Sequence, residues 1–283
     1  MRRRDFLQAA PALLVSPAYA GAAGPIAAYE RATGGNVGVF ARNISSGKIF
    51  AWRQNERFVM CSTFKASLAA CVLAHVDRGQ ADLDEVIGFA AADMGEMYAP
   101  VAKRNLGRGR LSVREMCAGA VEFSDNVCAN KLLARIGGPA VLTRFWRALG
   151  DDVTRLDDIE PLLNRTPLGG VRNTTTPEAM AGIVRHLVLG DVLSDGSRAM
   201  LKDWMVNCQT GKNRLRAGLP DNWVVGDKTG NNGRDIAGDL AIAWPGGSGP
   251  MVMAVYTRGG VPTEAQFAAL FAGIGRQVAA TLG

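Results

Sequence analysis

Ser62 and Lys65 stand three residues apart in RFVMCSTFKASLAACVLAHV (57–76), where a mixed polar segment gives way to an apolar, alanine-rich run. The run reads as a helix, which advances about 100° per residue, so the two side chains lie roughly 60° apart on one face. A serine hydroxyl is a poor nucleophile until a neighbouring base takes its proton. A lysine serves if its surroundings lower its pKa, or it steers the proton electrostatically. The N-terminus of the helix adds a field that favours developing negative charge. Alone, the pair is also what the solvated first turn of an ordinary helix carries, so a catalytic reading needs partners.

Two further stretches supply them. VEFSDNVCANKLL (121–133) carries Ser124, Asp125 and Asn126 at the start of a helix, and VVGDKTGNN (224–232) carries Lys228, Thr229 and Gly230 on a strand. S-x-x-K, S-D-N and K-T-G, in that order, are the signature set of class A β-lactamases and penicillin-binding proteins, and the chain resembles that superfamily. RLDDIEPLLN (155–164), TTTPEAMA (174–181), LKDWM (201–205) and VVGDKTG (224–230) resemble class A segments in sequence order. The likeness therefore spans essentially the whole chain after residue 20.

The resemblance implies a role for each motif residue. Ser62 matches the nucleophile that becomes acylated and Lys65 its proton partner. Ser124 matches the hydroxyl that relays a proton to the departing lactam nitrogen, and Asn126 the side chain that bonds the substrate's amide. Lys228 and Thr229 match the group that receives the substrate carboxylate, with Gly230 completing the motif. A cation and a hydroxyl suit a carboxylate, and an amide suits an amide. The backbone N–H groups of Ser62 and Asn231 match the oxyanion hole. Arg214, in KNRLRAGLP (212–220), resembles a second carboxylate-side cation, and Tyr98, in MYAPV (97–101), the aromatic residue at the pocket mouth. An ordinary surface arginine and an ordinary surface tyrosine are the alternatives at these two positions.

An acyl-serine ester persists unless something activates a water beside it. IEPLLN (159–164) supplies Glu160 as general base and Asn164 as a second holder of that water. The resemblance implies an Ω-shaped loop over 155–173 and a cis Glu160–Pro161 bond. The family's loop usually pairs an arginine two residues before the glutamate with an aspartate near the loop's end. Here those positions hold Asp158 and Asn173. The expectation is that the bridge is absent, that Asp158 accepts from the Asn173 amide instead, and that the loop is more mobile.

The elements that must hold these residues follow from pattern. NVGVFARNISSGKIFAWRQN (36–55) alternates like two strands joined at Ser45-Ser46-Gly47. From about residue 60 to 205 the pattern is helical. Ser112 and Glu115 form a capping box, while Thr176, Pro177 and Gly190 bracket another helix. Three β-rich runs follow residue 222, and an amphipathic helix closes the chain. The fold class is α/β (α+β): a five-stranded antiparallel sheet flanked by helices and built from both chain ends, with an inserted helical lobe. Residues 21–56 and 206–283 form the α/β lobe and 57–205 the helical lobe, with the active site at their seam.

MRRRDFLQAAPALLVSPAYA (1–20) has a basic head, a short apolar stretch and an A-x-A ending, the pattern of a cleaved export signal. Arg3-Arg4-Asp5-Phe6-Leu7 resembles the twin-arginine variety, so a periplasmic location is expected. Without residues 1–20 the formal charge falls from +6 to +4, and no basic cluster with interleaved aromatics speaks for nucleic acid. With only two histidines, His75 and His186, each in an apolar helix, a histidine-rich metal hydrolase is excluded; no metal or other cofactor is expected. The five cysteines fall outside C-x-x-C spacing. Cys61 has no cysteine after K-T-G to pair with, and the resemblance leaves Cys71–Cys117 as the one candidate bridge. Reduced thiols are the default if folding precedes export.

The expected function is hydrolysis of β-lactam antibiotics through a serine acyl-enzyme, by a monomer with small-molecule substrates. A DD-peptidase acting on cell-wall peptides, and a sensor that acylates and stops, share the acylation chemistry and stay open on sequence.

Overall fold

The computed structural model describes residues 24–283, and the expected export signal lies outside them. Helix α1 (Pro25–Thr33) opens on a proline in its first turn and stops at Gly34, whose φ of 73° only glycine adopts freely. Strands β1 (Asn36–Asn43) and β2 (Ile49–Trp52) pair antiparallel. Their turn is tied by Asn43 Oδ1, which accepts from the backbone N–H groups of Ser45 and Ser46 at 3.0 Å each.

A short strand β3 (Phe58–Val59) leads through a 3₁₀ turn, Cys61–Thr63, into α2 (Phe64–Asp77). Eleven of the fourteen residues of α2 are buried. It is apolar all round rather than amphipathic, as a central helix must be, and the helices Val113–Glu122, Asn126–Ile136, Pro139–Ala148, Pro177–Leu189 and Asp195–Val206 pack around it. These neighbours follow β4 (Val86–Gly88), α3 (Ala91–Met94), α4 (Pro100–Arg104) and β5 (Arg110–Ser112). They are α5 (Val113–Glu122), α6 (Asn126–Ile136), α7 (Pro139–Ala148), α8 (Pro177–Leu189) and α9 (Asp195–Val206). The capping box at Ser112 and Glu115 and the Thr176 cap form as read from the sequence. Strand β6 (Thr174–Thr175) pairs with β3, and β4 with β5, so the helical segment also carries two small ribbons. Runs of two or three residues are too short for alternation to reveal them.

The last part of the chain gives β7 (Val224–Asn231), β8 (Ala237–Trp244), β9 (Met251–Arg258) and α10 (Glu264–Leu282). The sheet is five-stranded and antiparallel in the order β2-β1-β9-β8-β7. The first long strand therefore pairs with the last along its whole length, Asn36 opposite Arg258 through Asn43 opposite Met251. Side chains alternate between faces. Val37, Val39 and Ala41 pack with Tyr29 of α1 and with Phe267, Phe271 and Ile274 of α10. Phe40 points the other way, into the core built around α2. Strand β7 is the sheet's edge, and an edge strand presents unpaired backbone N–H and C=O groups. That free edge runs past the turn that carries Ser62.

Candidate active site

The turn before α2 is strained and tightly held. Cys61 has φ 45°, a left-handed conformation that costs a non-glycine residue energy. Thr63 Oγ1 donates to Met60 O at 2.8 Å and shares a 3.0 Å hydrogen bond with Tyr256 OH, which fixes the turn to β9. Opposite it, a Cβ on Gly230 would stand 2.7 Å from Met60 O and 3.1 Å from Ser62 N. Both contacts are backbone, so only glycine lets the edge strand come this close to the serine amide.

Ser124 is also left-handed, with φ 59°. The next residue, Asp125, caps α6 through Cys128 N at 2.9 Å. Its other oxygen accepts from Val101 N at 2.8 Å and Ala102 N at 3.0 Å. Asn126 N donates to Tyr98 O at 3.0 Å. One buried carboxylate thus sets the start of α6 and draws the Tyr98 segment onto it.

Lys65 is completely buried, with its Nζ 2.8 Å from Ser124 O, 2.5 Å from Asn126 Oδ1 and 3.3 Å from Glu160 Oε1. Burial pushes its ammonium below the ordinary lysine range, and the Glu160 carboxylate works against that shift. Ser62 Oγ donates to the same Glu160 Oε1 at 3.1 Å, so Lys65 reaches the serine through the carboxylate. Asn164 Nδ2 donates to Glu160 Oε2 at 2.6 Å. Lys228, also fully buried, donates to Ser124 Oγ at 3.0 Å and to Thr229 O at 2.8 Å, and burial pushes its ammonium down to about 8. Arg214 stacks on the rings of Phe267 and Phe271, at 5.3 and 4.9 Å from their centroids.

Of the twelve residues named from the sequence, ten line one cleft of about 450 Å³. The other two, Lys65 and Lys228, lie buried and bonded to residues that line it. Ser62, Lys65 and Glu160 thus stand in mutual contact through one carboxylate oxygen, and Ser124 joins the two buried lysines, an arrangement whose residue types suit acyl transfer. The chain also matches the β-lactamase enzyme family over residues 23–282. It belongs to that family. β-Lactamase L2 of Stenotrophomonas maltophilia is 43% identical over 90% of this chain and 84% of its own length. The β-lactamase of Streptomyces albus G is 40% identical over 91% of this chain and 83% of its own. A β-lactamase structure from Xanthomonas campestris pv. campestris superposes with a TM-score of 0.88 at 45% identity, over 92% of this chain and 96% of that one. The last common ancestor of Gram-negative bacteria β-lactamase class A gives 0.87 at 46%, over 91% and 98%. This β-lactamase-family chain is a class A member.

Several site residues were not read from the sequence. Asn130 holds the backbone of Glu160 from both sides: its Nδ2 donates to Glu160 O at 2.9 Å and its Oδ1 accepts from Glu160 N at 3.0 Å. It follows Asn126 by four residues on α6, the spacing that shares a face, and that was the available signal. Thr210 shares a 2.6 Å hydrogen bond with the Thr229 hydroxyl, and nothing in its own stretch marks it. All five cysteines are free and buried, so the Cys71–Cys117 bridge does not form. Burial raises both thiols, that of Cys71 to about 12.

The loop departs from expectation in one respect. The Glu160–Pro161 bond is cis, and Asp158 Oδ2 accepts from Asn173 Nδ2 at 2.8 Å as anticipated. An arginine–carboxylate bridge is nevertheless present, because Arg172 reaches Asp158 at 2.7 Å from the loop's far end. The pair has exchanged sides: the carboxylate now precedes the glutamate and the cation stands beside Asn173. Asn173 does more than replace a salt bridge. Its Oδ1 accepts from Asp157 N at 2.9 Å and Asp158 N at 3.0 Å, and its φ of 54° is one that asparagine tolerates.

Removing the buried amide by Asn173→Ala therefore strands two N–H groups and is expected to cost about 2–4 kcal/mol. Arg172→Ala removes a largely exposed, solvent-screened partner and is expected to leave stability nearly unchanged. Chemical denaturation of the two variants checks this ordering; a reversed ordering would show that the ion pair, and not the amide, closes the loop.

Proposed function

We propose that this chain hydrolyses β-lactam antibiotics through an acyl-enzyme on Ser62, deacylated by a water that Glu160 activates. The observation that carries the reading is the single oxygen, Glu160 Oε1, that meets both Ser62 Oγ at 3.1 Å and Lys65 Nζ at 3.3 Å. A carboxylate so placed can take the serine proton as Oγ attacks the lactam carbonyl. As the carbon–nitrogen bond breaks, the nitrogen takes a proton from the Ser124 hydroxyl, which Lys228 resupplies. The proton taken up by Glu160 balances the one given up by Lys228, and its return to Lys228 restores the carboxylate for the second half of the cycle. Asn164 then serves as the second holder of the attacking water, since its Oδ1 is buried without a partner among the described residues. The Ser62 and Asn231 amides receive the oxyanion, Asn126 the substrate's amide, and Lys228, Thr229 and Arg214 its carboxylate, with Tyr98 at the mouth. Donors fixed before substrate arrives need no reorganisation in the transition state, which is why such groups contribute strongly to rate.

A Lys228 ammonium that loses its proton at about 8 should hold the substrate carboxylate less well in alkali. The group is charged below its pKa and neutral above it, so kcat/KM is expected to fall above about pH 8, with KM rising as carboxylate binding weakens and kcat falling as Ser124 loses its proton supply. A flat KM from pH 7 to 10 would remove Lys228 from carboxylate binding.

The peptidase alternative makes the same adduct and differs in its preferred leaving group. Steady-state rates on benzylpenicillin and on an acyl-D-alanyl-D-alanine peptide separate the two. We expect the lactam to be preferred by a factor of about 10³ or more, the scale of a general base suited to one acyl-enzyme. Preferential cleavage of the peptide would make the chain a DD-peptidase. We further propose a twin-arginine-exported, periplasmic monomer whose cleft lies at the seam of lobes 21–56 with 206–283 and 57–205. The basic and apolar pattern of residues 1–20 supports the export reading. Among the described residues no helix is long and apolar enough to cross a membrane.

A further inference from the structure

Glu264 opens α10, and an acid in the first turn of a helix is ordinary because it complements the helix dipole. The dipole does not explain where this one reaches. Its Oε1 accepts from Asn231 Nδ2 at 3.1 Å, and its Oε2 stands 3.8 Å from an Arg214 Nη2. Asn231 and Arg214 both line the catalytic cleft, together with Thr210 and Thr229. Arg214 is nearly buried, and its Nη1 has no hydrogen-bond partner among the described residues. The guanidinium lies on Phe267 and Phe271, which follow Glu264 at i+3 and i+7 and so share its face of α10. One helix face therefore supplies both the aromatic platform under the cation and the carboxylate beside it. That carboxylate is held loosely: its side chain is 73% exposed, with one hydrogen bond and one long ionic contact.

We infer that Glu264 is a built-in competitor for the substrate's carboxylate, an anion resting at the Arg214 end of the cleft that each substrate must push aside. The inference rests on the reading above that Arg214 belongs to the carboxylate-binding end. An arriving carboxylate meets like charge there, and the Glu264 side chain is free to swing into solvent once Arg214 has a better partner. The cost falls on binding and leaves the chemical steps at Ser62 and Glu160 untouched. Glu264 is thus a specificity-determining residue that raises KM for carboxylate-bearing lactams.

The test compares the parent with Glu264→Gln, which keeps the hydrogen-bond acceptor for Asn231 and removes the charge. Benzylpenicillin KM is expected to fall about fivefold, the effect of removing one unit charge at about 4 Å in water, with kcat little changed. The difference should close in about 1 M salt, where the Debye length is about 3 Å. It should be absent for the methyl ester of the same penicillin, whose carboxylate is masked. A residue that merely braced the helix would give neither the salt nor the ester dependence. Arg214→Ala, measured alongside, should raise benzylpenicillin KM. If it does, while Glu264→Gln leaves KM unchanged or raises it, Glu264 only supports Arg214 and the inference is overturned. If Arg214→Ala has no effect on KM either, the carboxylate does not dock at Arg214, and the inference falls together with that part of the functional reading.

Discussion

Glu160→Gln is expected to convert the enzyme into one that acylates and then stalls, with turnover of penicillins lowered by about 10²–10⁴-fold and a stable Ser62 adduct visible by intact mass. The asymmetry between the two half-reactions follows from the lysine beside it. In the parent, burial pushes the Lys65 ammonium down and the Glu160 charge opposes the shift. Glutamine removes the opposing charge, so Lys65 moves further towards neutrality and becomes able to accept the serine proton. Acylation thereby keeps a base. Deacylation, on the proposed mechanism, does not, because the attacking water would be held by Glu160 and Asn164, and a neutral amide cannot take its proton. Stopped-flow acylation rates together with adduct lifetime check both halves. A variant that fails to acylate would mean that Glu160 is the indispensable base for the first step as well.

Lys65→Met should be the more damaging change, because it removes activity and stability together. Lys65 and Glu160 form a fully buried ion pair at 3.3 Å. Taking one member from such a pair leaves a charge without its counterion, which typically costs about 3–5 kcal/mol. Glu160 keeps the hydrogen bonds from Ser62 and Asn164, so the lower end of that range is expected here. Ser124 O and Asn126 Oδ1 lose a shared donor at the same time, which loosens the start of α6. Acylation is expected to fall by about 10²–10⁴-fold. The double variant Lys65→Met/Glu160→Gln removes both charges and should recover part of the lost stability, as neutralising a whole buried pair often does. Urea denaturation of the parent, both single variants and the double variant measures that coupling. Additive losses in the double variant would show that the two groups do not act as a pair.

The sheet and the motif residues were legible in the sequence because their signals are local. Alternation marks β1 and β2, β-rich runs mark β7 to β9, and the caps at Ser112 and Thr176 mark helix starts. Helix α1 was not read, since nine residues beside a run of Ala and Gly give too few turns of periodicity. What fixes the site geometry is mostly non-local. The Asn173 side chain matters through three contacts with Asp157 and Asp158, sixteen and fifteen residues away, and the Arg172 bridge appears only once the loop has closed. Left-handed Cys61 and Ser124 carry no sequence mark, because the residues that favour that conformation are glycine and asparagine. Glu264 looked like any acid at a helix start, and only the approach of β7 to α10 gives it neighbours in the cleft.

The proposed cycle acylates Ser62 with a β-lactam and frees it again through Glu160 and water. The most direct measurement follows a limiting amount of mature protein through benzylpenicillin and a chromogenic cephalosporin, with intact mass recorded at each time point. Many equivalents hydrolysed per protein are expected, with any adduct transient and confined to Ser62. A single equivalent consumed, with a lasting adduct and no further turnover, would contradict the proposed cycle and mark the chain as an acylated target or sensor rather than a hydrolase.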